Sequence, residues 1–251
     1  MVRGIEKFRQ AFAQYQGKYS LIGGVACGLL MDEAQLEYRV TKDFDIVLII
    51  EAMDEDFGVA LWDFIKKGDY TIRQKNNGEP EFYRFKNPKD VSYPEEIELF
   101  SRRSVGLHYE EKDRLTPIFI SDEISSLSAI LLDDAYYNFL QSGVRVINDI
   151  QVLSHLYIIP FKAKAWLDLS GRKDKGEKVD SKNISKHKND IIRLLQIVQK
   201  EEHVELPMEV KNDMINFLER MESETIDFRA LNIRLDKKSA LELLKSVYNL
   251  D

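Results

Sequence analysis

Two aspartates, Asp43 and Asp45, stand at the start of an apolar run, Ile46 to Ile50, that is typical of a buried strand. Side chains alternate along a strand, so both carboxylates face the same way with their Cα atoms roughly 7 Å apart. Two like charges about 4 Å apart repel by roughly 4 kcal/mol at an effective dielectric constant near 20. A hard divalent cation offsets this repulsion, and Mg²⁺ is typically held by one or two carboxylates together with water and phosphate oxygens. The pair therefore predicts a Mg²⁺ (or Mn²⁺) site, although a solvated pair at a strand end has the same pattern.

A Gly-Gly turn precedes this strand in the chain. Residues 19–22 form a short apolar run with strand character, Gly23 and Gly24 follow, and residues 25–31 have the character of an apolar helix. Glycines let the backbone approach a ligand closely, and the N–H groups at a helix start suit a phosphate. A turn without function has the same local pattern.

A further acid lies inside a second strand-like segment, residues 94–100. Glu98 is flanked by Ile97 and Leu99. In a strand it faces away from both of them, toward solvent or toward a cleft. Glu96 lies one side-chain period earlier and is the second choice for the same role.

Two polar-apolar segments late in the chain are helical by pattern, namely 161–169 and 186–194. The first contains Lys162, and lysine is a flexible point charge suited to phosphate. The second contains Asp190, which at helical spacing has the option of pairing with Lys186 for only about 0.2–0.5 kcal/mol.

The combined motif runs Gly23-Gly24-x-Ala26, then Arg39-x-Thr41-x-Asp43-x-Asp45. It resembles the nucleotidyltransferase superfamily that includes DNA polymerase β, and more closely the AbiEii/AbiGii toxin-type nucleotidyltransferases. The two late segments are similar to the helical signatures of the AbiEii-like group, Lys-x-x-Ala-Trp/Leu and Lys-His-x-x-Asp-Ile-x-x-Leu.

This resemblance implies roles for particular residues. The catalytic, metal-binding carboxylates would be Asp43, Asp45 and Glu98. The nucleotide-binding residues would be Gly23, Gly24, Thr41, Lys162 and Asp190. Two positions depart from the usual pattern of the superfamily: Gly24 stands where many members have serine, and Glu98 stands where aspartate is more common.

The resemblance further implies a Mg-dependent enzyme that moves a nucleoside monophosphate from a nucleoside triphosphate (NTP) to an acceptor hydroxyl. The acceptor would be an RNA end, such as the 3′ end of a tRNA, or a protein, and the enzyme would be the toxin of a toxin–antitoxin pair with an antitoxin protein as partner. Two alternatives stay open: a catalytically silent interaction module, and an enzyme that nucleotidylates a small, antibiotic-type hydroxyl compound.

Composition restricts the class of protein. The chain has 251 residues, a net charge of −7 and one cysteine, Cys27. A lone cysteine excludes an intramolecular disulfide and fits a reducing cytoplasm. We find no run of 18 apolar residues and no signal-peptide pattern, so we expect a cytoplasmic protein without a membrane segment. The acidic balance argues against sequence-specific DNA binding, which uses basic surface.

The elements that position these residues predict an α+β protein. We expect a nucleotidyltransferase-fold mixed β-sheet core flanked by helices over residues 1–150 and a mainly helical domain over 151–251. Four helical patterns follow the core, and the first is expected to be interrupted at Pro160. A hairpin is expected to join strands near 70–73 and 81–85 through the Asn76-Asn77-Gly78 turn.

Overall fold

The computed structural model describes residues 2–74, 80–102, 115–117 and 128–250. Within them nine strands form one sheet. The strands are β1 (Tyr19–Ile22), β2 (Asp43–Leu48), β3 (Thr71–Gln74), β4 (Pro80–Lys86), β5 (Glu96–Ser101), β6 (Leu115–Pro117), β7 (Ser128–Leu131), β8 (Val144–Ile147) and β9 (Ile150–Leu153). The helices are α1 (Ile5–Phe12), α2 (Gly23–Glu33), α3 (Glu55–Gly68), α4 (Asp134–Gln141), α5 (His155–Asp174), α6 (Ser181–Leu194), α7 (Met208–Ser223) and α8 (Lys237–Tyr248).

The sheet is mixed, with the order β3-β4-β5-β2-β1-β9-β8, and β6 and β7 extend it beside β5. Strand β2 lies between β1, to which it is antiparallel, and β5, to which it is parallel. The predicted α+β class, a mixed sheet with flanking helices followed by a mainly helical part, is confirmed. The hairpin of β3 and β4 is also confirmed, while its turn at 75–79 lies outside the described residues.

Helix α2 is apolar all round, and its residues 24–31 are all buried. Such a helix needs protein on every side. It packs against β1 and β2 and also against α5 and α6. Helix α2 therefore connects the sheet to the helical part, and its first residue follows directly on β1.

The predicted boundary at residue 150 falls inside the sheet. Strand β9 pairs with the central strand β1 in parallel, with Val152 opposite Leu21. One cluster of buried apolar side chains continues from Val2 to Leu250 through both parts. The sheet thus ends at Leu153, and the division into two domains stays a prediction.

The interruption expected at Pro160 does not occur, because α5 continues through it as one helix. Proline lacks the N–H that would bond to the carbonyl oxygen four residues earlier. That oxygen, on Leu156, instead accepts a hydrogen bond from the Tyr248 hydroxyl at 2.6 Å. The last helix therefore satisfies the group that Pro160 leaves unpaired.

None of the helices in the described residues has the length and apolar character needed to cross a membrane.

Candidate active site

The ends of three central strands bring the predicted acids together. Strands β2 and β5 run parallel and in register, so that Asp43 lies opposite Glu96 and Asp45 opposite Glu98. The end of β1 meets the same edge, where Ile22 lies opposite Asp45. Because side chains two apart in a strand share a face, four carboxylates stand on one side of the sheet beside the start of α2.

Position 23 requires glycine for two reasons, its backbone conformation and the close approach of the Asp45 side chain. Its φ of +67° lies in the left-handed region, and a Cβ built there would be 1.8 Å from Oδ2 of Asp45. The Asp45 carboxylate therefore rests against the backbone of the glycine turn. The start of α2 has no side-chain cap, in contrast to α3, where Asp54 accepts a hydrogen bond from the N–H of Phe57.

Gly24 makes room for two polar groups. A Cβ at this position would lie 2.6 Å from the Thr41 hydroxyl oxygen and 3.1 Å from Nη2 of Arg39. The Thr41 hydroxyl thus fills the space that a side chain at position 24 would take. Thr41 is itself buried. A hydroxyl is present at this point of the loop even though residue 24 has no side chain.

The carboxylate cluster, which we define as Asp43, Asp45, Glu96 and Glu98, carries unbalanced charge. Burial and the nearby Glu98 carboxylate raise the pKa of Asp45 to about 7, against the opposing effect of Lys162. Burial and Glu96 raise the pKa of Asp43, and burial also raises the pKa of Glu98. Like charges in a partly desolvated site disfavour the ionised forms. A bound cation would relieve this cost.

Two members of the cluster have cationic partners on β4. Arg84 forms an ion pair with Glu98 and lies 3.5 Å from Glu96, and Lys86 pairs with Glu96 at 2.9 Å. In the described residues, no group of three His, Cys, Asp or Glu side chains is arranged so that it could hold a metal ion. Asp43 and Asp45 have no such partner in that part of the chain. Asp43 and Asp45 therefore suit a metal site with two protein carboxylates, in which substrate oxygens complete the coordination. In this structure Glu98 is paired with Arg84 and is not available as a third ligand.

Asp190 lies behind this cluster and is fully buried. It accepts hydrogen bonds from Nε and Nη2 of Arg39 at 2.9 and 2.8 Å and from Nζ of Lys162 at 2.8 Å. A more distant contact of 3.7 Å joins it to Arg193. Burial alone would raise the pKa of Asp190, but the cations of Lys162 and Arg39 hold it well below its usual range. We call this set the Asp190 cluster; its ion pairs do not include Lys186, the partner that helical spacing offered.

A cleft of about 570 Å³ opens over both clusters. Its walls include the predicted residues Gly23, Gly24, Thr41, Asp43, Asp45, Glu98 and Lys162. Asp190 is not among its lining residues. With both oxygens bound by Arg39 and Lys162, it is placed to position those cations and not to touch a ligand in the cleft.

The cleft also has lining residues to which the sequence analysis assigned no ligand-binding role. Arg39, Lys186 and His187 belong to it, as do the apolar side chains of Ile158 and Phe161. Burial, Lys162 and Lys186 lower the pKa of His187 to about 3, so its imidazole is neutral at pH 7. Ile158 and Phe161 form an apolar wall of the cleft together with Ala165. In the sequence, this wall was indicated only by the helical spacing of the three residues.

Tyr136, Tyr137 and Trp166 are largely core residues. Trp166 is buried and packs edge-on against Phe217, with ring centroids 5.4 Å apart. Tyr136 reaches the cleft wall, but it is 3% exposed and its hydroxyl donates to Asp213. Cys27 is buried in α2.

Three solved structures are similar to this chain. A candidate nucleotidyltransferase from H. pylori has a TM-score of 0.43 at 15% identity, with 96% of this chain and 91% of that chain covered. JHP933 from Helicobacter pylori has a TM-score of 0.43 at 16% identity, covering 96% and 88%. The antibiotic-resistance factor ANT(2'')-Ia has a TM-score of 0.41 at 14% identity, covering 87% and 91%.

No protein-family model matches the chain, and no curated protein sequence matches it significantly. The structural neighbours include nucleotidyltransferases by description. They do not establish the AbiEii/AbiGii resemblance, which stays a prediction. The functional assignment accordingly rests on the chemistry of the cleft.

Proposed function

We propose that this protein transfers a nucleoside monophosphate from an NTP to an acceptor hydroxyl with the help of Mg²⁺ or Mn²⁺. One observation carries the proposal: a single cleft collects an uncapped helix start at Gly23 and Gly24, a carboxylate pair with raised pKa values at Asp43 and Asp45, and cationic side chains, of which Lys162 is buried. These are the parts that a charged phosphate ester and its metal ion need.

Several groups of the chain would bind the phosphates of the nucleotide. Backbone N–H groups at the start of α2 would donate to phosphate oxygens, and the missing side chain at Gly23 lets them approach. The Thr41 hydroxyl would add a donor at the same loop. Lys162 has three N–H groups and donates one of them to Asp190, which leaves two for the cleft. The apolar wall of Ile158 and Phe161 would exclude water beside the reacting phosphate.

Asp43 and Asp45 would hold the metal, and they fit it because their charge is otherwise uncompensated by a direct partner in the described residues. The metal, when bound, neutralises phosphate charge and lowers the pKa of the attacking hydroxyl. Glu98 would join as a third carboxylate only after it leaves Arg84. We assign it the role of an auxiliary ligand to be recruited by the substrate.

For the acceptor we propose an RNA end, such as a tRNA 3′ end, or a protein hydroxyl. By the resemblance of the two helical signatures, the physiological outcome would be growth inhibition by a toxin with an antitoxin protein as partner. Lys162 and Asp190, the matched signature positions, meet at one point behind the cleft. We further propose a cytoplasmic location, because the lone Cys27 fits a reducing compartment.

A second candidate is transfer to a small cationic hydroxyl compound. Exposed acids, Asp133 and Asp168, stand on the cleft wall, and Lys164 beside them is paired with Asp213 at 2.9 Å. An acidic entrance attracts a cationic acceptor and repels the phosphates of RNA. A third candidate, the silent interaction module, has its support in the ion pair that keeps Glu98 on Arg84.

The test is transfer of radiolabel from each of the four α-³²P NTPs with Mg²⁺, offered to total tRNA, to a protein extract and to an aminoglycoside in separate reactions. We expect label on one acceptor, and loss of transfer in D43A/D45A. An exposed pair of acids, Asp227 and Asp236, gives the control variant D227A/D236A. Transfer that survives in D43A/D45A overturns the mechanism; label on the aminoglycoside alone favours the second candidate, and no label with any acceptor favours the third.

A further inference from the structure

In the part of the chain that the structure describes, four cationic side chains line the cleft: Arg39, Lys162, Lys164 and Lys186. Three of them have carboxylate partners within the protein. Arg39 and Lys162 bind the buried Asp190, and Lys164 binds Asp213. Lys186 forms no ion pair and no side-chain hydrogen bond within the described residues. Among the described residues, Lys186 is thus the cleft cation whose charge no direct protein contact neutralises.

The position of Lys186 is fixed by the helix that carries it. Helix α6 is anchored by Asp190, one turn after Lys186, through the ion pairs to Arg39 and Lys162. The lysine is half-buried and lines the same cleft as Asp43 and Asp45. Its side chain therefore borders the space in which the metal and the phosphates would be bound.

We propose that Lys186 makes the main side-chain contact with the β- and γ-phosphates of the bound NTP, while Lys162 stays paired with Asp190 and adds only a secondary contact. This inference rests on the proposed function, and it reassigns the main phosphate contact away from the lysine that the resemblance indicates. It names a triphosphate, as opposed to a monophosphate, as the ligand that the cleft selects.

Charge balance supports the assignment. Among the described residues, six carboxylates and four cations line the cleft, and three of these cations are already paired. A polyanion entering such a site needs positive charge from the metal and from a side chain free to move. Moving Lys162 off Asp190 would disturb a buried ion pair, which is costly. Moving Lys186 breaks no ion pair within the described residues, and lysine has a flexible four-carbon stem.

The experiment measures binding without turnover. The probes are the α,β-methylene analogues of ATP, GTP, CTP and UTP with Mg²⁺, and the four nucleoside monophosphates, titrated into the full chain by calorimetry. The variants are K186A, K186R and K182A. Lys182 lies one turn earlier on the same helix, is exposed and does not line the cleft, so K182A removes the same charge from a neighbouring position.

We expect K186A to weaken binding of the preferred triphosphate analogue roughly tenfold or more, since charge-assisted hydrogen bonds are lost. Monophosphate affinity should change by less than about twofold, K186R should retain most triphosphate affinity, and K182A should match the wild type. Unchanged triphosphate affinity in K186A, or an equal loss for monophosphates, overturns the role of Lys186 and leaves the proposed function standing. Absence of triphosphate binding by the wild-type chain overturns both proposals.

Discussion

The carboxylate cluster and the Asp190 cluster adjoin the same cleft, yet they handle charge in opposite ways. Asp190 is fully buried and its oxygens are bound by Arg39 and Lys162, so its pKa is held below the usual range. Asp45 stands among like charges, and burial with Glu98 raises its pKa to about 7. The Asp190 cluster is balanced within the protein, whereas Asp43 and Asp45 of the carboxylate cluster gain a direct counter-charge only when a cation binds.

The difference separates residues that stabilise the structure around the site, such as Asp190, from residues that would bind the ligand, such as Asp43 and Asp45. A charge that is already matched contributes to stability, and its removal leaves partner charges buried. A charge that is unmatched lowers stability until a ligand compensates for it. Substitutions in the two clusters should therefore move stability in opposite directions, and the following predictions test this contrast.

The largest effect is expected from D190A. Removal of the carboxylate leaves Arg39 and Lys162 without a counter-charge, and breaking one partner of a buried ion pair typically costs about 3–5 kcal/mol. The free energy of unfolding in urea, measured by circular dichroism, gives the value. The control is D174A, which breaks an exposed pair with Arg220 and should cost no more than about 1 kcal/mol. Similar losses for the two variants would remove the distinction between the clusters.

A second prediction concerns G23A. The backbone at φ +67° costs an L-residue about 1–2 kcal/mol, and the new methyl group would displace the Asp45 carboxylate. We expect the free energy of unfolding in urea to fall by about 1–2 kcal/mol. We also expect nucleotidyl transfer to be lost. G171A is the control, because a Cβ added at Gly171 would have no atom within 4 Å. Alanine is also more favourable than glycine inside a helix by up to about 1 kcal/mol. Full transfer activity in G23A would show that the glycine turn does not contact substrate.

A third, smaller effect is the pH dependence of D45N measured against the wild type. The folded pKa of Asp45 is raised from 3.8 to about 7, so the folded state holds the proton more tightly. Between these values the wild-type chain without metal should lose stability as pH rises, and D45N should lack this loss. The contribution of Asp190 has the opposite sign, because its folded pKa is lowered: it is present above the ordinary carboxyl pKa and falls as the solution becomes more acidic.

Unfolding in urea at pH 5 and pH 8, with EDTA and then with Mg²⁺, measures the contrast. The stability of D45N relative to the wild type should increase from pH 5 to pH 8 in EDTA and shrink when Mg²⁺ is added. A difference that does not depend on pH would show that Asp45 is ionised throughout, as in a site already balanced.

The smallest expected effect is that of R84A. Without the arginine, Glu98 becomes available as a third metal ligand beside Asp43 and Asp45. A partly exposed ion pair such as Arg84–Glu98 is worth up to about 1 kcal/mol. Mn²⁺ affinity, measured by electron paramagnetic resonance, should rise by up to about fivefold. R172A, which breaks the exposed pair with Glu177, should leave it unchanged. Weaker Mn²⁺ binding in R84A would mean that the pair holds Glu98 in place for the metal.

Much of the cleft was predictable because its parts depend on local rules. Side-chain alternation placed Asp43 and Asp45 on one face, and the order strand, Gly-Gly, helix predicted the loop at Gly23. The helical spacing of Ile5, Phe8 and Phe12 likewise matches α1, where all three side chains are buried.

The partners of these residues were not predictable, since they depend on distant segments. Helical spacing offered Lys186 to Asp190, whereas the bidentate partner is Arg39, 151 residues away. The ion pair of Glu98 comes from β4, whose register is set across the sheet. Pro160 was expected to interrupt α5, and only the contact with Tyr248 explains why the helix continues.

The pairing of β1 with β9 bears on the order in which the molecule is made. Leu21 finds Val152 only after most of the chain has left the ribosome, and Arg39 meets Asp190 later still. Contacts between such remote residues form slowly because a long loop must close first. A nascent chain therefore carries its glycine turn and acid pair long before it can assemble a cleft, and any transfer activity should begin only after the segment that contains Asp190 has been synthesised.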